Sequence, residues 1–131
     1  MNGTWKKIAA ILAAIIGAMA VFAGGKVLLG NDPGYYVIDW LPVYNFTVGA
    51  LSLFVTSVIL WIGSRYALPA ALATFSVHGI VMLILQGAYR DVVASDSIRA
   101  MTIRLIAWAI ILALAYVGSR QGKASRQAET A

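Results

Sequence analysis

Cysteine is absent from this 131-residue chain. That removes disulfides, thiolate nucleophiles, iron–sulfur ligation and Cys-based zinc sites, and it leaves the compartment unread from cysteine usage. Histidine occurs once, so the chain alone cannot supply both axial imidazoles of a bis-His haem. Charge is scarce as well. Charged residues make up 11% of the chain, where a soluble globular domain carries roughly twice as much. No nucleophile–base pair or cluster of metal ligands is present, so enzymatic catalysis is the least supported reading and no cofactor is evident.

Apolar residues are what the chain has instead, at 61%. So little polar material cannot cover an aqueous exterior, and lipid is the expected solvent. A helical membrane span needs roughly 20 apolar residues, and four stretches meet that length, at about 8–28, 41–63, 67–88 and 98–118. Open strands cannot satisfy their backbone groups in hydrocarbon, so the spans are read as helices. The expected fold is all-α: a single membrane domain over 1–131, built as a bundle of four transmembrane helices with a frayed polar tail over 119–131. Lys6, Lys7 and the apolar run ending at Ala18-Met19-Ala20 resemble a signal peptide, but the segment is read as a retained first span.

The net charge of +5 comes from Lys and Arg that flank apolar runs, so the expected partners are membrane lipids and other membrane subunits or further copies of the chain, not nucleic acid. Cytoplasmic segments are enriched in Lys and Arg. Lys6, Lys7, Arg65, Arg120, Lys123 and Arg126 fall on one side if both termini are cytoplasmic. The opposite loops carry Lys26, Arg90 and Arg99 together with Asp32, Asp39, Asp91 and Asp96. The expected location is the plasma (inner) membrane, crossed with both termini inside. Between the first two spans, Asn31-Asp32-Pro33-Gly34 is a turn signal. The aromatic stretch Tyr35 to Tyr44 then reads as an interfacial segment at the outer mouth, or as an ordinary aromatic belt.

Inside the spans, polar residues are few and patterned. Asn45, Gly49, Ser52, Thr56 and Gly63 all lie within roughly 40° of Asn45 at 100° per residue, so they form one inward stripe. Close helix packing accounts for such a stripe as well as a binding site does. Ala10, Ala14 and Ala18, then Gly24 and Gly25, make the first span a close-approach surface. Arg104 sits inside the outer end of the fourth span, where a charge costs roughly 3 kcal/mol on insertion scales. It is expected either to face the bundle, with Asp39 and then Asp91 and Asp96 as counter-charges, or to snorkel to the headgroups. Trp108 follows one turn further in on nearly the same face. His78, about 12 Å inward of Gln86, suits a proton relay, a metal or haem ligand or a quinone hydrogen bond, or else a structural bond to Ser or Thr. Thr74 and Tyr89 fall near its face.

Lys26, Asp39, Trp40, Tyr44, Asn45, Gln86, Arg90 and Arg104 all map to the outer third of the spans. With Trp108 alongside, they suggest an outward-facing polar pocket with His78 as its floor.

The run Phe22-Ala23-Gly24-Gly25-Lys26-Val27-Leu28 resembles the close of the first span in the DoxX-like family of small four-helix membrane proteins. Pro42 opening span two, followed by Gly49, fits the same pattern, over roughly the first half of the chain. That family often has an acidic residue in span two, where this chain has Ser52. The resemblance implies an accessory membrane subunit tied to redox or quinone chemistry, and it carries over Lys26 alone. Three functions follow from the whole reading. The first is an accessory or anchoring subunit of a larger membrane complex, with a redox complex among the candidates. The second is a quinone- or lipid-binding protein. The third is a small transporter or channel acting as an oligomer, weakened by the lack of an acidic residue at the midplane.

Overall fold

A computed structural model describes residues 4–30, 40–93 and 95–130, with the side chains of 96, 121–126, 129 and 130 left out. The turn at 31–34, the aromatic residues 35–38 and Asp39 therefore lie outside the described residues, as does the side chain of Asp96. The described residues form helices and turns, without a strand. Helix α1 is Thr4–Leu28. The second span is α2, Leu41–Leu51, then a π-helical segment, Ser52–Thr56, then α3, Ser57–Trp61. Helix α4 is Ala67–Gly87 and α5 is Ser95–Thr130. Four helices are long and apolar enough to cross a membrane: Thr4–Leu28, Leu41–Trp61, Ala67–Gly87 and Ser97–Arg120. That is the architecture of a multi-pass membrane protein. The tail expected to fray instead continues α5 as helix to Thr130.

The outer surface is the reverse of a soluble protein's. Large apolar residues point outward, among them Phe22, Phe54 and Leu83, the last 72% exposed. Water would penalise apolar surface on this scale, and acyl chains accept it. On α1 the inward residues are small. The buried face of α1 is Ala9, Ala10, Ala13, Gly17, Ala20 and Gly24. With apolar side chains equally at home in lipid, helices associate through close van der Waals fit, which small residues permit.

This face corrects the expected spacing on span one. Ala10 and Gly24 are buried, but Ala14 and Gly25 are half-buried and Ala18 is exposed. A strict four-residue step drifts by about 40° each time, whereas alternating steps of three and four hold one face toward the neighbour.

The tightest seam joins α1 to α2. A Cβ placed on Gly24 would lie 2.6 Å from both the Phe46 nitrogen and the Pro42 oxygen. On Gly49 it would lie 2.8 Å from the Ala20 Cβ and from the Val21 nitrogen. Backbone therefore meets backbone along this seam.

The polar stripe of span two is buried at Asn45, Gly49, Ser52 and Thr56. The wide π turn then shifts the register, so Ser57 and Leu60 follow as the buried residues. Gly63 does not extend the stripe. It ends the helix with φ +69. Its N–H donates to the Leu60 carbonyl at 3.2 Å and the Ser64 N–H to the Ile59 carbonyl at 3.2 Å, the two bonds of a Schellman cap.

Two apolar clusters fill the interior. One gathers Ala9, Ala13, Leu60, Ala67, Ala71, Trp108, Ile111 and Ala115. The other gathers Leu41, Val81, Leu85 and Met101, with Trp40, Tyr44 and Tyr89 against it.

Candidate functional site

The buried polar groups collect between these two clusters, on three spans. Pro42 in the first turn of α2 needs no N–H partner there, and it starts the helix that carries Tyr44 and Asn45 inward. Asn45 is 4% exposed. Arg104 on α5 turns in rather than toward the headgroups, and its Nη1 donates to Asn45 Oδ1 at 2.5 Å. Asp91 is exposed, and the expected counter-charge Asp39 lies outside the described residues.

His78 on α4 is 3% exposed. Its Nδ1 is hydrogen-bonded to the Tyr44 hydroxyl, and the imidazole tautomer sets which of the two donates. The expected Ser or Thr partner is not the one used. Thr74 donates back to the Ala70 carbonyl at 2.9 Å, and Ser52 to the Val48 carbonyl at 2.8 Å, which is how hydroxyls commonly satisfy themselves within apolar helices.

His78 also stacks at a tilt on Trp108, with ring centroids 6.2 Å apart. Trp108 is fully buried, and its indole Nε1–H meets no acceptor among the described residues. Arg104, Asn45, His78 and Trp108 line one narrow crevice with Gly17, Gly49 and Ser52. The crevice leaves no room for a water molecule.

A file of aromatic rings leads from the α2 start to this layer. Trp40 Nε1 donates to the Tyr89 hydroxyl at 3.3 Å, with ring centroids 5.9 Å apart. Trp40 then meets Tyr44 edge-on at 6.3 Å, and Tyr44 meets His78 at 5.8 Å.

Of the residues singled out in the sequence, Tyr44, Asn45, His78, Arg104 and Trp108 come together, with Trp40 at one end of the file. Lys26 and Gln86 do not join them. Both are exposed, and the Lys26 ammonium lies 5.2 Å above the Phe22 ring. Arg90 is exposed too. Gly17 on the crevice wall went unmarked in the sequence, since its role depends on which helix lies opposite. Tyr89 could have been paired with Trp40 from their shared place at the ends of facing spans. Among the described residues there is no group of three or more His, Asp or Glu able to hold a metal.

Set against family models, curated proteins and solved structures, the chain matches none.

Proposed function

We propose that this protein binds an amphiphile whose polar head accepts hydrogen bonds, a quinone or a lipid headgroup, in the layer formed by Asn45, His78, Arg104 and Trp108. The observation that carries the reading is the buried Trp108 Nε1–H with no acceptor among the described residues. A buried donor left unpaired costs about 1–3 kcal/mol, and an entering carbonyl or phosphoryl oxygen would remove that cost. The Arg104 guanidinium beside it adds charge-assisted donors. Because the crevice has no room even for water, the ligand must part the helices as it enters. The π-helical segment Ser52–Thr56 starts at Ser52, which lines the crevice, and such segments recur at functional sites.

The reading includes a plasma (inner) membrane location with both termini cytoplasmic, supported by the gathering of Lys6, Lys7, Arg65 and Arg120 at one set of helix ends. The DoxX-like resemblance points the same way, toward quinone chemistry. The test is titration of the full-length protein in nanodiscs with a short-chain quinone, read by tryptophan fluorescence. Saturable quenching that weakens about tenfold in Trp108→Phe and in Arg104→Leu is expected, a loss of about 1.4 kcal/mol. Unchanged affinity in both variants overturns the reading.

A second reading is an accessory or anchoring subunit of a larger membrane complex. It is favoured by α5, which continues as helix to Thr130 although its apolar window ends at Arg120. An isolated polar helix is marginal in water, so the extension suits a partner outside the bilayer. Stoichiometric co-purification after gentle detergent extraction, lost when residues 121–131 are removed, is the expected result. No co-purifying protein counts against it.

A further inference from the structure

One end of the bundle is basic. It carries Lys6 and Lys7 at the start of α1, Arg65 in the turn after α3 and Arg120 on α5, and the first carboxylate in the sequence beyond Arg120 is Glu129. Contacts tie the segments together: a Cβ on Gly118 would touch the Lys6 stem at 2.8 Å, and the Lys7 ammonium lies 5.3 Å above the Trp61 ring.

A groove of about 230 Å³ lies between α1 and α3, lined by Ala10, Ile11, Ala14, Ser57, Val58 and by Trp61, the ring beneath that ammonium. Lys7, Ile11 and Ala14 stand four and seven residues apart on one face of α1, so the groove leads directly away from the ammonium. Trp61, Val58 and Ser57 form the facing wall in the same way. Ser57 donates its hydroxyl to the Leu53 carbonyl of its own span, so the groove offers no free polar group along its length. The groove follows α1 from Ala10 to Ala14, a little over one turn, or about 6 Å. That is short for a helix–helix seam across a bilayer of about 30 Å, and it matches the part of an acyl chain nearest its headgroup.

We propose that this groove holds an acyl chain of an anionic phospholipid, with the lipid phosphate against the Lys7 ammonium. The site is separate from the polar layer and does not depend on the function proposed for it. A cation at the head of an apolar slot, on a bundle end where Lys and Arg outnumber carboxylates, complements an anionic amphiphile. Trp61 suits the boundary between headgroup and chain.

The test uses the full-length protein in nanodiscs made from equal parts of phosphatidylglycerol and phosphatidylcholine with matched chains. Retained lipid is counted by native mass spectrometry. Wild type is expected to keep one phosphatidylglycerol about fivefold in preference, the scale of one lysine at an anionic membrane surface. Lys7→Gln, at an exposed position, should equalise the two lipids. Ala14→Leu should fill the groove and lose both. Equal retention of the two lipids by wild type overturns the proposal, as does a preference that survives Lys7→Gln. A dimer without retained lipid that Ala14→Leu dissociates also overturns it, by giving the groove to a second copy of the chain. Should Ala14→Leu fail to insert, the exposed Lys7→Gln still decides the question.

Discussion

Arg104 reaches 59 residues back along the chain to donate its guanidinium Nη1 to the side-chain oxygen of Asn45 at 2.5 Å. This bond ties α5 to α2 at the level where the two apolar clusters part. Hydrogen bonds between membrane helices average about 0.6 kcal/mol, with a maximum of about 1.7, and a charged donor in a half-buried site belongs toward the upper end. A double-mutant cycle of Asn45→Ala with Arg104→Leu, followed by unfolding in detergent, should return a coupling of about 1–2 kcal/mol. Independent effects would show that the bond contributes nothing. Arg104→Leu should still insert fully, because it removes an unfavourable charge from an apolar run.

Tyr44 and His78 depend on each other in a similar way. Tyr44→Phe strands the imidazole Nδ1 in a dry interior and should cost about 1–3 kcal/mol. Tyr44→Phe combined with His78→Leu removes both polar partners. The pair should be less destabilising than the sum of the single changes. Strict additivity in thermal unfolding would mean that the two side chains do not rely on this contact.

Glycine substitutions separate contact from conformation. Gly24→Ala and Gly49→Ala each push a Cβ to within 2.6–2.8 Å of the facing helix, where rigid backbone must yield. Each should cost about 1–3 kcal/mol. Gly79 has nothing within 4 Å of a new Cβ, so Gly79→Ala should be neutral or should stabilise by about 0.5–1 kcal/mol. Thermal melts of the three variants side by side check this ordering, and equal effects would refute the backbone seam between α1 and α2.

Gly63→Ala addresses the end of α3. The position has φ +69, and its new Cβ would have ample space, with the Lys6 stem 3.9 Å away. The cost is therefore conformational, about 1–2 kcal/mol. Gly63→Asn should recover part of it, since asparagine tolerates the left-handed region. If Ala and Asn behave alike in the same melts, the Schellman cap is not what holds this turn.

How much was legible in the sequence follows from which forces are local. The four apolar runs specify helices by themselves, because hydrocarbon forces each backbone to satisfy its own hydrogen bonds. Span limits over 8–28, 41–63 and 67–88 differ from the helix ends by a few residues at most. The inward face of span two could be read as far as Thr56, because a regular helix repeats its face every 3.6 residues. It could not be read beyond, because the π turn at Ser52–Thr56 adds a residue whose reason lies in the packing around it. The extension of α5 to Thr130 was missed for want of any apolar periodicity in that segment.

Residue chemistry along the chain by itself determined that this is a four-span, all-helical protein whose rare polar groups must be accounted for inside. Composition and periodicity act within each span, so no partner is needed to read them. Only the tertiary structure decided that Arg104 meets Asn45, that Tyr44 takes His78, that Trp108 finds no acceptor among the described residues, and that Lys26 and Gln86 stay outside. Those outcomes turn on the rotation of each helix about its axis and on its depth against its neighbours. Both are set by where glycine and alanine let backbones touch, a property of pairs of helices that no single segment contains.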